Sequence, residues 1–240
     1  MSEHTLKFFG EELSQLKAEV ARLGGLAEAQ LTDAIEAVAN RDVGLAQAVI
    51  ARDDKLDAAQ RDIERKAIRM IALRQPVAQD LRRTVGALKM SLTLERAGDY
   101  AKNIAKRALV LAEAEPLTPM TRSIERMGRL VAARLQEALD AYTAGEPERA
   151  MKVWSSDEEV DEHYNSLFRE LLTYMMGDPR TIGACTHLLF MAKNLERIGD
   201  HATNIAETVY YEVTGQEFSG ERPRWNPDAA EETPEPPTTA

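Results

Sequence analysis

Apolar residues recur at intervals of three and four along most of the chain. In residues 6–39 they fall at Leu13, Leu16, Val20, Leu23, Leu31, Ile35 and Val38, which is the period of one face of an amphipathic helix. The weak point of that stretch is Gly24-Gly25. Asn40-Arg41-Asp42 interrupts the pattern, and Asp42 suits the N-cap of a second helix. That helix is predicted over residues 43–73 through Leu45, Val49, Leu56, Ile63, Ala67 and Met70. Pro76 cannot continue it but sits well near the start of a third, predicted over 77–112 through Leu81, Val85, Leu88, Leu92, Ile104 and Leu111.

Residues 113–119 hold two prolines and read as a linker. The plan then repeats. A fourth helix is predicted over 120–142, Gly145-Glu146-Pro147 turns the chain, a fifth helix runs unbroken to about 176, and Asp178-Pro179 opens a sixth that fades near Thr214-Gly215. Register confirms the duplication: Leu31 matches Leu135, Ala46 matches Ala150, Val49 matches Val153 and Asp57 matches Asp161, each 104 positions on. The offset falls to 103 at Pro76 and Pro179, and to 101 at Glu95 and Glu196, because loops tolerate small deletions. The expected architecture is all-α: two tandem antiparallel three-helix bundles related by an internal repeat, residues 1–114 and 115–215. Residues 216–240, acidic and rich in proline, are expected to form a disordered tail.

Composition agrees, with aromatics at 5% of residues. The net charge of −10 arises from an acidic excess in the second half, which argues against nucleic acid as a partner and fits solvated acidic faces or bound cations. Cys185 is the single cysteine, so no internal disulfide forms and a reducing compartment is expected. Its apolar surroundings mark a buried thiol rather than a nucleophile. No secretory signal opens the chain and no apolar run approaches the roughly 18 residues of a membrane span. The expectation is a cytoplasmic protein.

Candidate chemistry lies in a phrase written twice. Residues 94–104 read Leu-Glu-Arg-Ala-Gly-Asp-Tyr-Ala-Lys-Asn-Ile and residues 195–205 read Leu-Glu-Arg-Ile-Gly-Asp-His-Ala-Thr-Asn-Ile. On a helix this places Glu95 and Asp99, and likewise Glu196 and Asp200, one turn apart on one stripe, where like charges repel. The preceding helix of each half carries a second pair, Asp53 and Asp57, or Asp157 and Asp161, in mid-helix. From Asp57 to Pro76 is 19 residues and from Pro76 to Glu95 another 19, so antiparallel neighbours rising about 1.5 Å per residue bring the two pairs level. A lone pair of this kind is usually a solvated face, and Arg52, Lys55, Arg96 and Lys102 are available as ordinary ion-pair partners. Four pairs in register point instead to a site for hard cations such as Mg²⁺, Ca²⁺, Mn²⁺ or iron, with Zn²⁺ allowed, and to more than one ion per patch.

Other features carry less. His201 adjoins Asp200, but its counterpart is Tyr100. His163 and His187 read as locally satisfied, Trp154 and Met175-Met176 as packing, and the bases Arg61, Arg65, Lys66, Arg69, Arg74, Arg82 and Arg83 as a solvated face. Glycine-rich phosphate loops, nucleophile elbows, cysteine-rich zinc patterns and the ferritin-like Glu-x-x-His are absent.

Gln75-Pro-Val-Ala-Gln-Asp-Leu-Arg82 and the doubled Leu-Glu-Arg-x-Gly-Asp phrase resemble the PhoU family, accessory regulators of bacterial phosphate uptake, over about residues 6–214. The resemblance implies two three-helix bundles that bind metal, multinuclear iron in some members, with Asp53, Asp57, Glu95, Asp99, Asp157, Asp161, Glu196 and Asp200 as ligands. It also implies a non-enzymatic, homodimeric adaptor between the phosphate ABC transporter and a PhoR-type sensor histidine kinase. Such an adaptor restrains the phosphate-starvation response and meets the membrane through its partners only. The competing reading is a metal-dependent phosphohydrolase or oxidase using the same carboxylates. The long tail and the Tyr100/His201 difference depart from the family pattern.

Overall fold

The computed structural model describes residues 3–218, with side chains from Phe9 onward. The tail expected to be disordered lies outside the described residues from position 219. Within them the chain is helical, with no strand. The first bundle is α1 (Glu3–Asn40), α2 (Val43–Arg74) and α3 (Ala78–Glu113). The second is α4 (Thr118–Ala144), α5 (Pro147–Ser155), α6 (Glu158–Gly177) and α7 (Ile182–Thr214). Asp42 caps α2 as its sequence position suggests, its Oδ1 accepting from the Leu45 amide at 2.9 Å. Gly145, at φ 71°, closes α4 in the left-handed conformation that glycine adopts without penalty.

The fifth helix expected from the sequence is two helices. It breaks at Ser156-Asp157, where the Ser155 and Ser156 hydroxyls donate back to the carbonyls of Lys152 and Val153, both at 3.1 Å. Such bonds compete with the helical ladder. Glu158, Glu159 and Asp161 in the first turn of α6 favour a new helix N-terminus there. Asp157 therefore stands in a turn, not in mid-helix. The last helix also starts late, after a single 3-10 turn (Pro179–Thr181) capped by Asp178.

The two bundles meet along two antiparallel seams, α3 on α7 and α1 on α4. The α1–α4 crossing is close because glycines sit in it. A Cβ on Gly24 would lie 2.4 Å from Leu139 Cδ2, and one on Gly128 would lie 2.5 Å from Ile35 Cδ1. Gly24 matches Gly128 and Ile35 matches Leu139 in the repeat, so the seam has twofold pseudosymmetry and the apparent weak point of the first helix is its packing contact. On the other seam Tyr100 and His201, also equivalent, stack on each other. One continuous core of leucine, isoleucine, methionine and alanine runs through both bundles, and burial of that apolar area is what holds the long helices.

Candidate functional site

In the first repeat, α2 offers Asp53 and Asp57 and α3 offers Glu95 and Asp99, and the charges of the three aspartates all act on Glu95. Burial first, then Asp99, Asp57 and Asp53 in turn, push the Glu95 carboxyl above its usual range, with Arg96 opposing. Asp53 is only 4% exposed, and both of its oxygens are engaged. Oδ1 accepts from Gln30 Nε2 at 3.1 Å, a donor reaching in from α1, and Oδ2 accepts from Lys102 Nζ. Lys102 also donates to Asp99 Oδ1 at 2.9 Å. Burial alone would lower the pKa of this ammonium, but its bonds to Asp53 and Asp99 outweigh that and raise it. Asp57 faces outward, 3.7 Å from Arg61. The patch is thus built around an internal cation.

The second repeat resolves the same crowding differently. Lys102 is matched by Thr203, whose hydroxyl donates to Asp157 Oδ1 at 2.7 Å. Gln30 is matched by Arg134, which is buried and donates to Glu159 Oε2 at 2.7 Å. Glu196 Oε1 accepts from Lys193 Nζ at 2.8 Å, while Oε2 is buried with no hydrogen-bond partner among the described residues. Burial pushes the Glu196 carboxyl up. Lys193 opposes this, and the charges of Asp200 and Asp161 add to it.

The sequence matches the family described as the PhoU domain twice, over residues 20–108 and 124–209. The chain belongs to the PhoU family. A Caulobacter vibrioides protein named phosphate-specific transport system accessory protein PhoU homolog is 66% identical over 224 residues, covering 93% of this chain and 97% of its own. A Rhizobium meliloti protein of the same name is 50% identical over 92% of this chain and 93% of its own. Among solved structures, PhoU from Pseudomonas aeruginosa superposes with a TM-score of 0.84 at 40% identity, covering 87% of this chain and all of its own. The phosphate transport system regulatory protein PhoU from Streptococcus pneumoniae superposes at 0.81 and 30% identity, covering 88% and 99%.

Placed on this PhoU-family scaffold, the two patches suit a hard cation unequally. Among the described residues no three His, Cys, Asp or Glu side chains converge closely enough to enclose an ion as they stand. In the first patch the Lys102 ammonium already fills the place between Asp53 and Asp99, so the donors present do not fit a metal without displacing it. In the second, a hydroxyl replaces the ammonium and a buried carboxylate oxygen lacks a donor, which is the environment an oxygen-seeking cation relieves.

The remaining candidates divide. Cys185 is fully buried. His187 Nδ1 stands 3.3 Å from Arg107, and His201 packs on Tyr100. Trp154 packs as expected and also donates to Glu207 at 3.1 Å. Met176, read as packing, is 86% exposed, because α6 ends there with that face turned outward. Of the bases of α2, Arg65 pairs within the helix with Asp62, while Lys66 to Glu19 and Arg74 to Glu12 tie α2 to α1 at the surface. Gln30 and Arg134 carry no motif, and only the repeat register points to them.

Proposed function

We propose that this chain is a non-catalytic regulator of phosphate uptake. It restrains the phosphate-starvation response as a cytoplasmic, homodimeric adaptor between the phosphate ABC transporter and a PhoR-type sensor histidine kinase. The names of its relatives, accessory and regulatory proteins of phosphate transport, support that role over a phosphohydrolase or oxidase. No helix is long and apolar enough to cross a membrane among the described residues, which accords with contact to the membrane through partners. A rigid body with acidic faces on paired helices is suited to docking rather than turnover.

Metal binding is part of the proposal. The ligands in the second repeat are Glu196, Asp200, Asp161 and Asp157. In the first, Asp53, Asp57, Glu95 and Asp99 take an ion only when Lys102 withdraws. Iron, Mn²⁺, Mg²⁺ and Zn²⁺ all accept such oxygen donors. The single observation that carries this part is the buried Glu196 oxygen without a donor. The test is elemental analysis of protein purified without chelator, wild type against Glu196→Ala/Asp200→Ala, with kinase-domain binding measured on the same samples. Loss of metal and weaker binding with helicity intact support the reading. Unchanged metal content overturns the ligand assignment, and unchanged binding overturns the adaptor role of this face.

A further inference from the structure

The α3–α7 seam holds a groove of about 690 Å³, floored at Gly86, where a Cβ would lie 3.5 Å from Thr208 Cγ2 of α7. Its α3 wall carries Arg82, Lys89 and Arg96. Their spacing of seven residues is nearly two helical turns, so they stand in one row about 21 Å long that drifts by about 20° per step. None has an ion pair among the described residues, unlike Arg65, Lys66 and Arg74 of α2. Arg82 is half-buried, its guanidinium laid against the end of α7, where a Cβ on Gly215 would lie 3.2 Å from its Cζ. Its Nε is buried with no hydrogen-bond partner among the described residues, and a carboxylate is the acceptor that best satisfies such a donor. Two carboxylates share the groove away from the α3 wall, Glu207 and Glu217, and the Trp154 indole donates to the first.

The apolar content of the wall keeps the same period. Val85 and Leu92, also seven apart, alternate with the bases along α3, and Leu92 is 43% exposed. Tyr211 lines the α7 side and is exposed as well. A basic row beside an apolar row, both repeating every seven residues, is the pattern read by a helix lying at a small angle to α3. The internal repeat does not impose it, because Lys89 is matched by Phe190, whose ring Arg107 covers at 4.2 Å.

We propose that the α3–α7 groove docks an acidic amphipathic helix of a partner protein. The acidic edge of that helix meets Arg82, Lys89 and Arg96, and its apolar stripe meets Val85, Leu92 and Tyr211. A row of about 21 Å corresponds to about four turns, a usual length for helix-in-groove recognition. Charge selects the class of partner. At −10 overall the chain repels an extended anionic surface, lipid or nucleic acid, whereas a short acidic helix meets only the basic row. The inference rests on the groove alone, so its failure leaves the adaptor and metal readings as they stand.

The test is fluorescence anisotropy with the full-length chain and a labelled helical peptide of about 18 residues. The peptide carries Glu at every seventh position beside a leucine stripe, with alanine and glutamine elsewhere, and the control peptide has Lys for each Glu. The acidic peptide should bind saturably and the control should not. Affinity should fall about tenfold or more in Arg82→Gln/Lys89→Gln/Arg96→Gln, in Leu92→Gln, and in about 1 M salt, where the screening length is about 3 Å. All four substituted positions lie on the surface or half-buried, and circular dichroism checks that helicity is kept. Absence of binding overturns the proposal, as does equal affinity for the two peptides or affinity that the glutamine variant retains. Sedimentation with vesicles of phosphatidylcholine and phosphatidylglycerol in equal parts tests the lipid alternative. Pelleting of the wild type but not of the glutamine variant overturns the proposal in favour of a membrane surface. Conversion of a dimer to monomers by Leu92→Gln in analytical ultracentrifugation overturns it in favour of a second copy of this chain.

Discussion

Lys102 and Thr203 occupy the same point of the two repeats, and each donates to the equivalent aspartate, Lys102 Nζ to Asp53 and Thr203 Oγ1 to Asp157 at 2.7 Å. The donor at this point is an ammonium in one half of the molecule and a hydroxyl in the other. The two patches are alike in acids and differ in where their ammonium sits, on Asp53 and Asp99 through Lys102 in the first and on Glu196 through Lys193 in the second.

Lys102→Ala removes the internal cation and leaves Asp53, itself 6% exposed on the side chain, with only the Gln30 amide. Loss of one partner from a buried pair costs about 3 kcal/mol or more. A divalent ion can take the vacated place, so added Mn²⁺ should raise the urea midpoint of the variant more than that of the wild type. Equal shifts in the two proteins would show that the ammonium and an ion do not compete.

The pairing of carboxylates across α2 and α3 was legible because helix rise is constant and the shared turn supplies the origin for counting. Helix ends were legible for a related reason, since Asp42, Pro76, Gly145 and Gly215 act locally. What escaped depends on rotation of one helix about another. Nothing in the flanking wording says that Gln30 turns toward Asp53, or that Lys102 reaches across to it rather than to solvent. The break at Ser156-Asp157 was missed because apolar periodicity continues through it at Val153 and Val160, and hydroxyl back-bonding leaves no mark on that period.

The glycine of the doubled phrase is explained by the same crowding. A Cβ on Gly98 would lie 2.7 Å from Leu56 Cδ1, and Leu56 is 1% exposed, so α3 lies against α2 only because that position is bare. Gly98→Ala should destabilise the protein by about 1–3 kcal/mol through overpacking. Leu56→Val withdraws the clashing methyl and should cut that loss when the two changes are combined. Strict additivity in a double-mutant cycle followed by urea unfolding would place the effect elsewhere.

Glu212, near the end of α7, provides a pH test away from both acidic patches. Its Oε2 is buried without a hydrogen-bond partner among the described residues. Burial pushes the carboxyl up to about 7 from an ordinary 4.5, although Lys17 and Arg83 oppose it. The folded protein therefore binds this proton more tightly than the unfolded chain does. Its contribution to stability is fully present below pH 4.5 and is lost as pH rises through about 7. The whole effect is at most about 3 kcal/mol, from roughly 1.4 kcal/mol per pKa unit. Glu212→Gln, neutral throughout, should match the wild type near pH 5 and exceed it near pH 8, since those values bracket most of the titration. Glu95 and Glu196 titrate upward in both proteins and cancel from the difference. A wild-type-minus-variant stability that stays flat between those two values would mean that Glu212 is already solvated in the folded state.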